Sequence, residues 1–314
     1  MTWLVSLMLA IVFAALLCFA VTWILFRLWC RPQRVTSPVS PADYALDFEA
    51  VHFSSQGVRL QGWFIPAPHT GSKAPAVVLM HGWNHHAGRM LDLAAAFHKA
   101  GCAALLFDAR GHGRSPADGP VYVLKFAQDI LAAIDCLQRR PEVDPLRIAV
   151  AGHSMGGSAA ILAAAMDPRI RAISSSSAFS DPSALTRDTL RKLHLPLRPF
   201  LPLMQAIFRR WIGMPIRQVS PRERIGEINV PILLAHSDCD DHILPIHFET
   251  LLRRADPEWV QAIVLNGCKH SDMLGDPSYI ARVTDFLSAA LNIAPRVPGS
   301  ASAQSTPNRQ EVEG

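Results

Sequence analysis

The chain has 314 residues, half of them hydrophobic, and a formal net charge of +4. That length supports one large α/β domain plus an accessory segment, and so small a charge, with no basic run interleaved with aromatics, argues against a nucleic-acid partner. The six cysteines form no Cys-x-x-Cys pair and are too sparse for a disulfide scaffold, so neither a zinc site nor a disulfide framework is expected.

Trp3 to Phe26 carries no charged residue. As a helix it would extend about 36 Å at 1.5 Å per residue, enough to cross a hydrocarbon core of about 30 Å. Trp3, Trp23 and Trp29 sit near its ends, where interfacial aromatics collect. A cleaved signal peptide is the rival, but no basic region precedes the run and no small-x-small cleavage site follows it. Residues 3–26 are therefore read as one transmembrane helix. Arg27, Arg31 and Arg34 follow it, which by the positive-inside rule puts the rest of the chain on the cytoplasmic side. Residues 27–46 read as a linker, with Pro32 to Pro41 unsuited to regular structure.

Asp47 to Phe53 and Val58 to Phe64 alternate apolar and polar residues around a turn at Ser54 to Gly57, the pattern of an antiparallel hairpin. From Ala76 onward, apolar strands alternate with helices, which predicts a doubly wound parallel sheet. The strands are expected at 76–80, 103–107, 147–151, 170–174, 231–235 and 260–265. Helices are expected over 91–100, 121–139 and 158–166, in a segment ending at 251–254, and over 279–291. Phe179 to Ile228 breaks the alternation and is rich in Leu, Phe, Trp and Arg. It reads as a helical lid, either a simple cap or one whose basic residues also touch anionic headgroups. Residues 293–314 read as a disordered tail.

Between the strand at 147–151 and the helix after it lies Gly152-His153-Ser154-Met155-Gly156-Gly157. A Gly-x-Ser-x-Gly pattern in that context is a nucleophile elbow. The turn is so tight that side chains at Gly152 and Gly156 would strike backbone, and its strain lifts the Ser154 hydroxyl above the sheet. Alone the pattern is weak; its context and partners strengthen it. His81-Gly82-Trp83-Asn84 follows the first parallel strand, and Asp108-Ala109-Arg110-Gly111-His112-Gly113-Arg114-Ser115 the second. His236-Ser237-Asp238-Cys239-Asp240 follows the penultimate strand, and Gly267-Cys268-Lys269-His270 the last. In an open parallel sheet, ligands bind outside the carboxyl ends of the strands, and all these stretches are at such ends.

Together these motifs resemble the α/β-hydrolase superfamily, closest to its serine-aminopeptidase-like and monoglyceride-lipase-like branch, over about Asp47 to Asn292. One departure is Ser237, where the family often has glycine, and this weakens any inference about substrate. The resemblance implies an α/β-hydrolase fold: a mostly parallel doubly wound sheet with an N-terminal antiparallel hairpin and a lid at 179–228. It implies Ser154 as nucleophile, His270 as base and Asp240 as acid, with Asp241, Asp238 and the more distant Asp181 as competitors. The backbone N–H groups of Trp83 and Met155 would form an oxyanion hole, with His81 and Gly82 beside the substrate. Asp108 to Ser115 would be a structural turn, and His85 and His86 would stand at the pocket rim. No metal or organic cofactor is implied.

The function expected is a membrane-anchored serine hydrolase cleaving carboxylic esters, lipid-like ones included, through an acyl-enzyme. Peptidase, thioesterase or amidase chemistry could use the same triad, and a non-catalytic binding protein is the rival of another class. The partners expected are a small ester or lipid-like substrate and the membrane.

Overall fold

The computed structural model describes residues 2–68, 72–192 and 201–292. The expected tail at 293–314 lies outside them, as does the Leu- and Pro-rich middle of the lid at 193–200.

A long helix, α1 (Thr2–Trp29), leads the chain. Its residues Thr2 to Ile24 are long and apolar enough to cross a membrane, and residues 2–17 are exposed throughout. Only its C-terminal end packs: Trp23 and Cys30 share an apolar cluster with Leu203, Ile207, Phe208 and Trp211.

The hairpin forms as β1 (Glu49–Ser55) and β2 (Val58–Ile65), paired antiparallel. Val51, Phe53 and Ser55 of β1 are buried and the residues between them exposed, the alternation of a strand with one wet face. β3 (Ala74–Met80) and β4 (Ala103–Asp108) are buried at every position, as strands covered on both faces must be. β5 (Val143–His153), β6 (Ile170–Ser176), β7 (Ile232–Ser237) and β8 (Val260–Leu265) complete an eight-stranded sheet in the order β1-β2-β4-β3-β5-β6-β7-β8. β2 pairs antiparallel with β1 and β4, and the remaining pairs are parallel.

The helices α2 (Leu91–Lys99) and α9 (Pro277–Ala290) cover one face of the sheet. The other face is covered by α3 (Val123–Gln138), α4 (Met155–Ala164) and α8 (Pro245–Arg254). Between β6 and β7 come α5 (Pro182–Lys192), α6 (Leu201–Ile212) and the single turn α7 (Pro221–Arg224), in the segment expected to be a lid.

The chain runs from β3 outward to β4, then returns past β3 to form β5. The sheet therefore reverses direction between β3 and β5, and a crevice opens outside their carboxyl ends. Those ends carry His81 and Ser154.

Candidate active site

Ser154 has φ 56° and ψ −118°, a combination sparsely populated by non-glycine residues. Its neighbours hold it there. A Cβ at Gly152 would lie 2.2 Å from Gly156 O, and one at Gly156 would lie 2.4 Å from Met80 O, so only glycine fits either position. The Ser154 N–H donates to Ser176 O at 2.8 Å, fixing the turn against β6. Beneath it, Tyr279 of α9 donates its hydroxyl to Ser176 Oγ at 2.8 Å. Met155 opens α4, so its N–H has no carbonyl one turn back and points outward with the helix dipole.

The loops after β7 and β8 bring Asp240 and His270 together. His270 Nδ1 lies 2.8 Å from Asp240 Oδ2, and the Asp240 side chain is fully buried. Its other oxygen, Oδ1, accepts the backbone N–H groups of His242 at 2.9 Å and Ile243 at 2.8 Å. Burial alone would raise the Asp240 pKa. The His270 hydrogen bond and charge, with the two N–H donors, outweigh it and hold the carboxyl well below the usual range. None of the competitors is hydrogen-bonded to the His270 ring. Asp241 is exposed; its Oδ1 bonds the His242 ring at 2.9 Å and accepts the His270 backbone N–H at 3.4 Å. Asp238 accepts the Gly267 N–H at 2.7 Å. Asp181 caps α5 through the Ser183 and Ala184 N–H groups and accepts Ser220 Oγ.

The His270 ring is flanked on two sides. His153 lies 4.7 Å away between ring centroids, and His242 stacks at 5.0 Å with 29° between planes. Sequence reasoning gave neither a role. Burial, and then the nearby His270 charge, keep His153 neutral by pulling its pKa well down. Arg89 Nη2 donates to Ser271 O at 2.6 Å and ties down the loop beyond His270. Among the described residues Ser154 Oγ makes no hydrogen bond, while the ring of its chain neighbour His153 lies against that of His270.

A cavity of about 380 Å³ opens above Ser154. Trp83 and Met155 line it beside Ser154, under a roof from α5 and α6 that includes Leu185 and Phe208. Among the described residues, no charged side chain faces it. One wall is unexpected: Cys30, just past the end of α1, lines the same space.

The structure does not bring the His81 side chain to this cavity. The ring is fully buried against His112 and Phe126. Its Nδ1–H donates to Gly82 O at 2.7 Å, and Nε2 accepts the Ala109 N–H at 3.0 Å, so it joins the loops after β3 and β4. Burial lowers its pKa to about 3, so it stays neutral. Gly82 does approach Ser154, since a Cβ there would lie 3.1 Å from Ser154 Cβ. His86 is buried and His85 half-buried; neither lines the cavity. The Asp108 to Ser115 loop is bound by its own charges. Asp108 accepts the N–H groups of Ala87 and Arg114, and fully buried Arg110 bonds Asp129, Asp118 and Ser55.

Residues 71–220 match the family model described as serine aminopeptidase, S33. An uncharacterized Mycobacterium tuberculosis protein, Rv2307c, is 28% identical over 270 residues, covering 82% of this chain and 87% of its own length. A thiohydrolase of Arthrinium phaeospermum is 36% identical over 131 residues, or 40% of this chain and 41% of that one. Among solved structures, an esterase of Pyrococcus furiosus superposes with a TM-score of 0.66 at 22% identity, covering 82% of this chain and 97% of the other. An α/β hydrolase from Penicillium, GrgF, superposes at 0.62 and 20% identity, over 79% of this chain and all of the other. With a Gly-x-Ser-x-Gly turn at the reversal point of its sheet, and with these likenesses across most of its length, the chain has the α/β-hydrolase fold.

Proposed function

We propose that this hydrolase is a membrane-anchored serine esterase. The observation that carries this reading is the strained Ser154 at the head of α4, lining a cavity that no charged side chain faces among the described residues, together with the bonded His270–Asp240 pair on the loops after β8 and β7. In the proposed reaction, Ser154 Oγ attacks the ester carbonyl carbon while His270 Nε2 takes its proton. The oxyanion that forms is held by the N–H groups of Trp83 and Met155. Neither of these has a hydrogen-bond partner among the described residues. Collapse breaks the ester C–O bond, and the His270 proton passes to the departing alcohol. Water, deprotonated by His270, then attacks the acyl-enzyme and releases the acid. Asp240 accepts from Nδ1 throughout, leaving Nε2 free as the base.

The cavity's lining supports an uncharged, apolar acyl group. An aminopeptidase must hold a substrate ammonium, and burying that charge without a carboxylate partner is costly. Among the described residues the cavity offers no such carboxylate. A thioester is the second reading, favoured by the likeness to a thiohydrolase. Comparing kcat/KM on matched oxygen and sulfur esters separates the two. The anchor reading rests on Thr2 to Ile24, apolar, exposed over residues 2–17, and about 35 Å long at 1.5 Å per residue. Arg27, Arg31 and Arg34 favour a cytoplasmic domain.

The test is Ser154→Ala in the full-length protein. It removes one oxygen from the elbow, so circular dichroism should be unchanged while p-nitrophenyl ester turnover and fluorophosphonate labelling are lost. A purified variant that keeps wild-type turnover overturns the assignment.

A further inference from the structure

Residues 30–41 join α1 to the domain, and their composition is that of a plain spacer. They are instead docked along most of their length. Cys30 O accepts the Val121 N–H at 2.8 Å. Pro32 is buried, and a side chain on Gly111 would meet its ring at 3.0 Å. Arg34 Nε donates to Gly113 O at 3.3 Å. Ser37 packs so closely on Gly88 that a Cβ there would lie 2.0 Å from its Oγ. Pro41 is buried where the segment ends.

In the middle of this strap, the Gln33 N–H donates to Asn84 Oδ1 at 2.8 Å. Asn84 follows Trp83, and the two form the centre of a turn closed by the His85 N–H on Gly82 O at 3.3 Å. Asn84 has φ 57°, in the left-handed region that Asn tolerates better than most residues. A turn of this kind is set by backbone torsions alone unless something outside it holds the side chain. Here the strap does. The contact spans 51 positions of sequence and is one peptide removed from the candidate oxyanion donor.

We infer that Asn84 and the backbone of Gln33 are positioning groups that aim the Trp83 N–H at the oxyanion, making the segment between anchor and domain a working part of the active site. This rests on the reading of Trp83 as an oxyanion donor. Such a donor acts on charge that develops only in the transition state, so disturbing its aim lowers kcat and leaves KM nearly unchanged.

The experiment uses the full-length protein in detergent with p-nitrophenyl butyrate. Asn84→Gly keeps the left-handed backbone and removes the acceptor. Gln33→Pro removes the donor from an exposed position and leaves the core untouched, while Gln33→Ala keeps the N–H. Both Asn84→Gly and Gln33→Pro should lower kcat about tenfold, less than the loss from deleting an oxyanion donor outright, with KM within about twofold. The double variant should be no slower than either single one, as expected for two halves of one contact. Gln33→Ala should restore most of the rate. Unchanged kcat in both single variants, or losses that multiply in the double, would overturn the positioning role. So would a Gln33→Ala loss equal to that of Gln33→Pro. A wild-type protein that neither hydrolyses the ester nor labels at Ser154 would instead overturn the esterase reading itself.

Discussion

Replacing Asp240 with Asn tests the proposed triad at the point where the geometry is most constrained. Every group facing the Asp240 carboxylate is a donor: the His242 and Ile243 N–H groups on Oδ1, and His270 Nδ1 on Oδ2. A carboxylate accepts all three. An amide has one acceptor and one donor end. Its oxygen will stay with the two backbone N–H groups, because turning it away would orphan two buried donors at about 1–3 kcal/mol each. The amide NH₂ then faces His270 and requires Nδ1 to accept. That forces the proton to Nε2, the nitrogen that must take the Ser154 proton. The variant folds with the wrong tautomer, and kcat should fall by about 10⁴, or about 5 kcal/mol of transition-state stabilisation. Asp241→Asn is the matched control. Its side chain is exposed and its ring partner His242 is exposed too, so the loss should be about fivefold at most. The assay is steady-state ester hydrolysis near neutral pH, with nitrogen NMR of labelled histidine to report the tautomer. An Asp240→Asn enzyme within about tenfold of wild type, or an Asp241→Asn loss exceeding it, would refute the assignment.

Gly156→Ala should be destabilising as well as inactive: its Cβ would meet Met80 O at 2.4 Å and His81 O at 2.6 Å, both backbone atoms that cannot swing aside. A cost of about 3 kcal/mol should lower Tm by about 10 °C in calorimetry, and an unchanged Tm would contradict the packing described. Stability should fall as pH drops from about 6.5 toward about 3, because burial lowers His81 and His112 to about 3 and an unfolded chain takes up protons that the folded one refuses. Two such groups give a slope of about 3 kcal/mol per pH unit; urea unfolding between these limits with a flat or opposite slope would refute it. Finally, the full-length protein should stay in the membrane pellet under alkaline carbonate, and its release would rule out α1 as an integral anchor.

Much of the fold is legible in the sequence because its core strands are buried on both faces. The runs at β3, at Ala103 to Phe107 of β4 and at Ile148 to Ala151 of β5 are therefore continuously apolar, and periodicity needs no help from context. The misplaced boundaries have local causes. β3 begins at Ala74, two residues before the expected start, because Pro75 lies at a register shift where its missing N–H does no harm. α4 begins at Met155 and not Ser158, since Gly156 and Gly157 have poor helix propensity and are present for their close packing. α9 begins at Pro277 and not Tyr279. Asp276 caps it by accepting the Ser278 and Tyr279 N–H groups, a signal of Asp followed by Pro that was there to be read.

The site divides along the same physical line. Ser154, Asp240 and His270 stand at strand ends, so a one-dimensional pattern locates them, and the structure joins the last two by a single hydrogen bond. What the pattern misses is every role carried by a contact between distant loops. His81 looks like a substrate neighbour because it follows β3. Yet its ring bonds Ala109 N, 28 positions away, and so braces the loop that carries Trp83 from behind. Cys30 and Gln33 look like spacer because nothing in a Pro- and Ser-rich run marks which backbone groups will be used. Their partners are Val121 N and Asn84 Oδ1, at separations no propensity encodes. A backbone N–H is the same on every residue but proline, so the Gln33 side chain bears no trace of its contact. Only the residue opposite does: Asn84, in a left-handed turn where glycine would serve the backbone equally well, carries an acceptor that the turn itself does not use.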